Sequence, residues 1–250
     1  MPVLESRVAP GLLRWTLSNP ARRNAVDPEM LGWIARRAAE LAGEVVLLCG
    51  EGDRVFSAGF DLKALPRLAA ADPSTPPDQP LIDAVAALQR ADATFVAVLG
   101  GLVIGAAVEL ACACDLRLAR RGITFQVPAS KLGVVYHADG LVRFHAVFGP
   151  ALARRLLLAG DAITGEEALA AGALAGLVEA EALEEAALAL GARLLAGAPG
   201  SLRAHRDFFR DLERRMLPAE LVAEHRARRD EAYAAADLER AHDRALGRES

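Results

Sequence analysis

Apolar positions along this chain fall into two kinds of run. Short ones, unbroken at residues 45–49 and 95–99 and mostly apolar at Leu12–Leu17, 116–119 and 123–127, have the length of strands. Elsewhere the apolar positions are spaced as on one face of a helix. Met30, Leu31, Ile34 and Leu41 follow Asp27-Pro28, which reads as an N-cap with proline at the first helical position, and residues 81–88 are amphipathic. Strand, helix and strand in that order predict a right-handed parallel crossover. Residues 128–133 read as a turn, residues 134–140 lead into a helix through Phe144 and Val147, and Gly149-Pro150 separates that helix from another at 151–158. Thr164-Gly165-Glu166-Glu167 has the form of a helix cap, and residues 177–178 form a last short strand. From Glu179 onward the pattern is helical, with breaks near Ala198-Pro199-Gly200 and at Pro218. Alternating strands and helices followed by helices alone define an α/β chain with a helical C-terminal region.

The chain is organised around FVAVLGGLVIGAAVELACACDLR, residues 95–117. A strand breaks at Gly100-Gly101 and a small-residue segment, residues 104–114, resumes as a predicted helix. The first amides of that helix, at about Gly105 and Ala106, lack partners within it, and the small side chains let an oxygen atom approach them. That is the geometry of an oxyanion site. Glu109 follows one turn later on a face otherwise made of Ala, Val, Leu and Cys. Burial there is expected to raise its pKa, as suits a base working near neutral pH. The competing reading is a buried glutamate paired with an arginine such as Arg143. A second strand-to-glycine turn, Phe56-Ser57-Ala58-Gly59-Phe60-Asp61-Leu62-Lys63, offers the amide of Phe60 as another donor.

These blocks, together with Asn19-Pro20, Arg23-Asn24-Ala25, Pro128-Ala129-Ser130-Lys131-Leu132-Gly133 and FGPALARRLLLAGDAITGEEALAAGAL, resemble the enoyl-CoA hydratase/isomerase (crotonase) superfamily, in order and spacing, from about Leu12 to about Val178. The resemblance implies a ClpP/crotonase-like spiral of ββα units in two roughly perpendicular sheets, residues 1–195, and a C-terminal helical oligomerisation region, residues 196–250. It implies acyl-CoA thioester substrates and a homotrimer or dimer of trimers. It needs no metal and no cofactor beyond the coenzyme A of the substrate. Phe60 and Ala106 match the oxyanion-hole pair and Glu109 matches one of two catalytic glutamates. Where the second glutamate belongs, this chain has Ala129, which removes the two-carboxylate route to hydration. His137 resembles in position a catalytic aspartate of some relatives and is the candidate second acid/base; a surface-loop histidine is the alternative. Asp139 either orients that imidazole or caps the following helix, with capping favoured. Arg23, Ala25, Ala58, Gly59, Asp61, Leu62, Lys63, Gly105, Pro128, Ala129 and Leu132 lie in blocks that border the CoA cleft in the family.

Composition narrows the remaining choices. At 250 residues and 53% apolar the chain can bury one sizeable core, yet charged residues interrupt every apolar run before membrane length. The first residues lack the pattern of a secretion signal, so a cytoplasmic protein is expected. A net charge of -4 with arginines interleaved among acids gives no stripe for nucleic acid. Cys49, Cys112 and Cys114 sit inside apolar elements at no metal-binding spacing and are expected as buried reduced thiols. The proline-rich polar segment 71–78 is either a lid beside the cleft or a solvated insertion. A dinucleotide site is rejected because Leu102 occupies a fingerprint glycine position. The other surviving reading is a non-catalytic acyl-CoA binder that has kept the cleft.

Overall fold

The computed structural model describes residues 3–61 and 75–234. Among the described residues ten strands make two sheets. The larger contains β1 (Val3–Ala9), β2 (Leu12–Leu17), β3 (Ala42–Gly50), β5 (Asp92–Leu99), β7 (Leu116–Arg120) and β10 (Gly176–Val178), in the order β1-β2-β3-β5-β7-β10. The smaller contains β4 (Val55–Ser57), β6 (Leu102–Ile104), β8 (Thr124–Gln126) and β9 (Ile163–Thr164), in that order. The crossover from β2 through α1 (Pro28–Ala38) to β3 is parallel, as expected. Apart from the antiparallel pairs β1–β2 and β8–β9, every pairing is parallel.

The unbroken apolar runs are explained by cover on both faces of the larger sheet. Alternate residues point to opposite sides: Val46, Leu48, Phe95 and Ala97 enter the main core with Trp15 and Ile34. Val45, Leu47, Val96 and Val98 enter a second core, closed by Ala187 and Leu190 of α7 (Leu183–Leu195). Each of β3–β4, β5–β6 and β7–β8 steps from the larger sheet to the smaller, which gives the ββα spiral. Gly101 turns one such corner, where a Cβ would overlap the backbone of Arg54 and Val55.

Asp27 caps α1 by accepting from Met30 N–H at 2.9 Å, and Thr164 with Glu167 forms the expected capping box on α6 (Gly165–Ala170). Leu41 is buried beyond the end of α1 rather than on it. The strands β1, β4, β6 and β9 are not among those the sequence predicts. β6 occupies the start of the segment read as helix, so the helix α3 runs Ala106–Ala113 rather than 104–114. Residues 128–133, read as a turn, contain a short helix α4 (Ala129–Leu132) closed by left-handed Gly133. The remaining helices are α2 (Gln79–Arg90), α5 (Ala138–Arg154, kinked at Gly149), α8 (Pro199–Arg215) and α9 (Ala219–Ala234). Leu62, Lys63 and residues 71–74 of the proline-rich segment lie outside the described residues. Among the described residues no helix is long and apolar enough to cross a membrane.

Asn24 ties the entry loop to this frame. It is buried in the left-handed region at φ 55°, and its side-chain amide donates to Glu51 O at 2.9 Å and Val55 O at 3.0 Å. Asn24→Ala leaves two carbonyls without their donor and strains the backbone. The expected cost is about 2–4 kcal/mol of unfolding free energy, read by urea denaturation.

Candidate functional site

Two backbone segments meet at the edge of the smaller sheet. After β4, Val26 N–H donates to Gly59 O and Asp61 N–H donates to Val26 O, each at 2.8 Å, a parallel bridge between Val26 and Phe60. Alternation along an extended chain then turns the N–H of Phe60 to the opposite side. Gly59, at φ 89°, presses its backbone on the second segment: a Cβ there would lie 2.5 Å from Ile104 O and 3.2 Å from Ala106 N. Ser57, fully buried, holds the turn by accepting from Gly59 N–H at 3.1 Å. Across the gap, Gly105 at φ 56° turns β6 into α3, and Ala106 supplies the first helical amide. Gly105 N–H is not free, as expected from sequence, but donates to Gln126 O of β8 at 2.8 Å. That bond seats the turn on the neighbouring strand and leaves Ala106 as the donor on this side. Neither the Phe60 nor the Ala106 amide has a backbone acceptor among the described residues.

Glu109 is fully buried on α3, and its carboxylate is paired. Arg143 of α5 donates from a terminal nitrogen to Oε1 at 2.6 Å, and His137 Nε2 stands 2.7 Å from the same oxygen as an ion-pair contact without hydrogen-bond alignment. The arginine partner of the competing reading is therefore present. Oε2 has no hydrogen-bond partner among the described residues. Gly140, the third residue of α5, makes this approach possible, since a Cβ there would lie 2.9 Å from Oε1.

Charge decides the protonation states, and it corrects the expected direction at Glu109. Burial alone pushes its pKa up, but the charges of His137 and Arg143 and the bonds they make pull harder, leaving it below the usual carboxylate value. For His137 burial pulls down, while Glu109 and then Asp139 outweigh it, and the imidazole is raised to about 9. His137 is buried, so it is not a surface-loop histidine. In its neutral form it is itself the N-cap of α5, Nδ1 accepting from Gly140 N–H at 3.3 Å, a bond the imidazolium gives up; Asp139, favoured as the cap, puts Oδ2 4.0 Å from that Nδ1, where it faces the charged ring.

Because the folded value lies above the ordinary 6.5, the stabilisation from His137 is complete below pH 6.5 and is lost as pH rises through about 9. The loss is on the order of 3 kcal/mol. Denaturation at pH 6 and pH 10, compared with His137→Ala, measures it: the gap between the two proteins is expected to shrink at the higher pH.

The other sequence candidates are placed unevenly. Arg23 is exposed and left-handed at φ 52°, and its carbonyl accepts the Ala58 amide at 2.9 Å, so that amide is not available to a ligand. Asp61 is buried and pairs with Arg22, which the sequence reading passed over. Ala25 and Ala129 are buried, and Ala129 brings no carboxylate. Pro128 precedes α4 and Leu132 ends it, both half-buried. Tyr136 was also missed: its hydroxyl lies 3.9 Å from where a Cβ on Gly105 would stand. Its ring packs edge-on to Phe144. Only its place three residues after the α4 cap Gly133 and next to His137 marks it in the sequence. A cavity of about 510 Å³ opens at the far end of α3, between Cys112, Asp115, Arg210 and Glu213, away from the Ala106 amide. Cys112 and Cys114 are buried free thiols, Cys49 is half-buried, and burial raises Cys112 to about 12.

The two-sheet ββα spiral thus brings two glycine turns together, one beside the amide of Phe60 and one beside the amide of Ala106. The chain belongs to the enoyl-CoA hydratase/isomerase family, whose model matches residues 8–239. It is 33% identical to the probable enoyl-CoA hydratase of Mycobacterium tuberculosis over 90% of this chain and 86% of the relative. A crystal structure of an enoyl-CoA hydratase/carnithine racemase from Magnetospirillum magneticum superposes with a TM-score of 0.79 at 29% identity, over 85% of this chain and 81% of that one. Methylmalonyl-CoA decarboxylase in complex with 2-nitronate-propionyl-CoA superposes with a TM-score of 0.89 at 23% identity, over 100% of this chain and 97% of that one, and shares the fold.

Proposed function

We propose that the chain is an enzyme that binds an acyl-CoA thioester with its carbonyl oxygen between the amides of Phe60 and Ala106, and moves a proton at the carbon next to that carbonyl. The observation that carries the reading is Glu109, buried one helical turn beyond the Ala106 amide with Oε1 held by two cations and Oε2 unpartnered. A buried acceptor left open needs an occupant, and a substrate C–H proton or a water on its way to the double bond suits it. As the proton leaves, negative charge grows on the thioester oxygen, where the two amides meet it. Glu109 takes the proton; His137, charged at neutral pH, lies within reach of the same oxygen and can return one.

One acid/base cluster on one side of the substrate favours moving a double bond over adding water. Hydration by two carboxylates lacks its second member at Ala129, and the chemistry needs no cofactor beyond the coenzyme A of the substrate. The second reading, a binder without turnover, draws on the ion pair itself, since Arg143 makes Glu109 a weaker base. Conversion and binding of saturated, 2-enoyl and 3-enoyl CoA esters separate the two. Interconversion of 2- and 3-enoyl esters, lost in Glu109→Gln and reduced in His137→Ala, is the expected result. Binding of all three with no conversion by the parent protein supports the binder.

The homotrimer or dimer of trimers is supported by α8, where Phe208, Phe209 and Leu212 are exposed, with exposed Met216 just past its end. Sedimentation of the full chain at the monomer mass would remove that reading.

A further inference from the structure

His137 reaches Glu109 from an irregular stretch, residues 134–137, between Gly133 and the start of α5. Helix-type bonds fix only its ends, Val134 N–H donating to Ala129 O at 3.0 Å and Leu141 N–H to His137 O at 3.1 Å, so the carbonyls between must be met from outside. Two of them are met by α9. Arg229 Nε–H donates to Val135 O at 2.9 Å, and His225 Nε2–H donates to Tyr136 O at 2.7 Å. The two side chains are four residues apart and so share one face of the helix. Arg229 Nη2 also donates to both oxygens of Asp78, at 2.9 Å to Oδ1 and 2.7 Å to Oδ2.

Two features set this contact apart from a casual surface pair. Among the described side chains of α9, Arg229 is the buried one, and the helix otherwise offers no apolar face to the core. Asp78 stands at the N-cap of α2 yet makes no capping bond with its side chain; its carboxylate is given to Arg229 instead. The far end of α2 carries Gln89, whose Oε1 accepts from Arg143 at 3.3 Å, and Arg143 holds Glu109. One helix thus anchors both halves of the acid/base pair: Asp78 the loop that bears His137, Gln89 the arginine that grips Glu109.

We propose that Arg229, anchored by Asp78 and assisted by His225, is a positioning residue: α9 straps residues 134–137 over α3 and thereby holds His137 against Glu109. This rests on the role given to those two side chains above, so the test is chosen to work without substrate. In the full-length protein, the His137 ring is titrated by NMR and amide exchange is followed over residues 134–140, in the parent, Arg229→Ala, Arg229→Lys, Asp78→Asn and the exposed control Arg228→Ala. The ring faces Glu109, Asp139 and Arg143, and contact with Glu109 raises it to about 9.

With the strap cut, the midpoint is expected to fall toward the ordinary 6.5 and exchange over 134–140 to rise at least about tenfold, with Arg228→Ala matching the parent. Arg229→Lys is expected to behave as Arg229→Ala, because one ammonium nitrogen cannot stand both where Nε meets Val135 O and where Nη2 meets Asp78. On an acyl-CoA that the parent converts, kcat is expected to fall about tenfold with KM within about twofold. A His137 midpoint that stays at the parent value in Arg229→Ala overturns the proposal; if that variant does not fold, the same result in Asp78→Asn does so. A parent protein with no turnover, but with the shifted midpoint in the variants, overturns the acyl-CoA chemistry and leaves the strap standing.

Discussion

Glu109→Gln is expected to lose turnover by a factor of about 10²–10⁴ while the protein still binds the acyl-CoA esters it bound before. The amide keeps the shape of the side chain but has no affinity for a proton at the working pH. The same substitution carries a structural cost that must be separated from the chemical one. Arg143 and His137 both face Oε1, and neither is exposed. Removing the negative charge leaves two cations with nothing between them, a change that costs about 3–5 kcal/mol when a buried pair loses one member. His137 relieves part of it by giving up its proton, so its midpoint should fall well below the value of about 9 that Glu109 supports. Turnover, ester binding and urea denaturation on one preparation distinguish the cases. Lost turnover with retained binding and a lowered midpoint fits an acid/base role. Turnover kept at the parent level would remove Glu109 from the chemistry and leave it as an ion-pair anchor.

The central strands could be read from sequence because the larger sheet is buried on both faces, so β3 and β5 carry the unbroken apolar runs 45–49 and 95–99. β1 escaped for the opposite reason: in VLESRVA the Leu4, Glu5, Ser6 and Arg7 side chains are exposed and the strand is fixed by pairing with β2. β6 escaped because Leu102–Ile104 joins two glycine turns and continues without a polar break into α3, and apolar periodicity cannot divide so short a strand from the helix after it.

At the site, what is local was legible and what is long-range was not. The two glycine turns announce themselves within a few residues of Phe60 and Ala106. That Gly59 lies on Ile104 and Ala106 depends on strands far apart in sequence. The direction of the Glu109 pKa was misread because burial was weighed ahead of the pairing with Arg143, and His137 was not counted as a partner. Val108 and Leu110 argue for desolvation, while the cations that reverse it come from residues 137 and 143 on another element. Gly140 in a helix start was a usable sign of a side chain pressed on backbone, for nothing in its own helix requires glycine there.

Ala106→Pro tests the oxyanion site with less disturbance than any change at Gly59. Proline at the first position of a helix costs little, since its fixed φ suits the turn and the missing N–H has no partner inside the helix. At residue 106 that missing N–H is the proposed donor, and the ring carbon that replaces it occupies the side from which the thioester oxygen would be held. Loss of one such donor is expected to lower kcat by about 10²–10³. Gly59→Ala is the companion. Its Cβ would sit 2.5 Å from Ile104 O in a left-handed backbone, so the two segments must part, and stability and turnover should fall together. The pair therefore divides by pattern: Ala106→Pro loses rate with the melting temperature nearly kept, and Gly59→Ala loses both. Full turnover in Ala106→Pro would show that the carbonyl oxygen is held elsewhere, and the chemistry proposed for Glu109 would then have no enolate to act on.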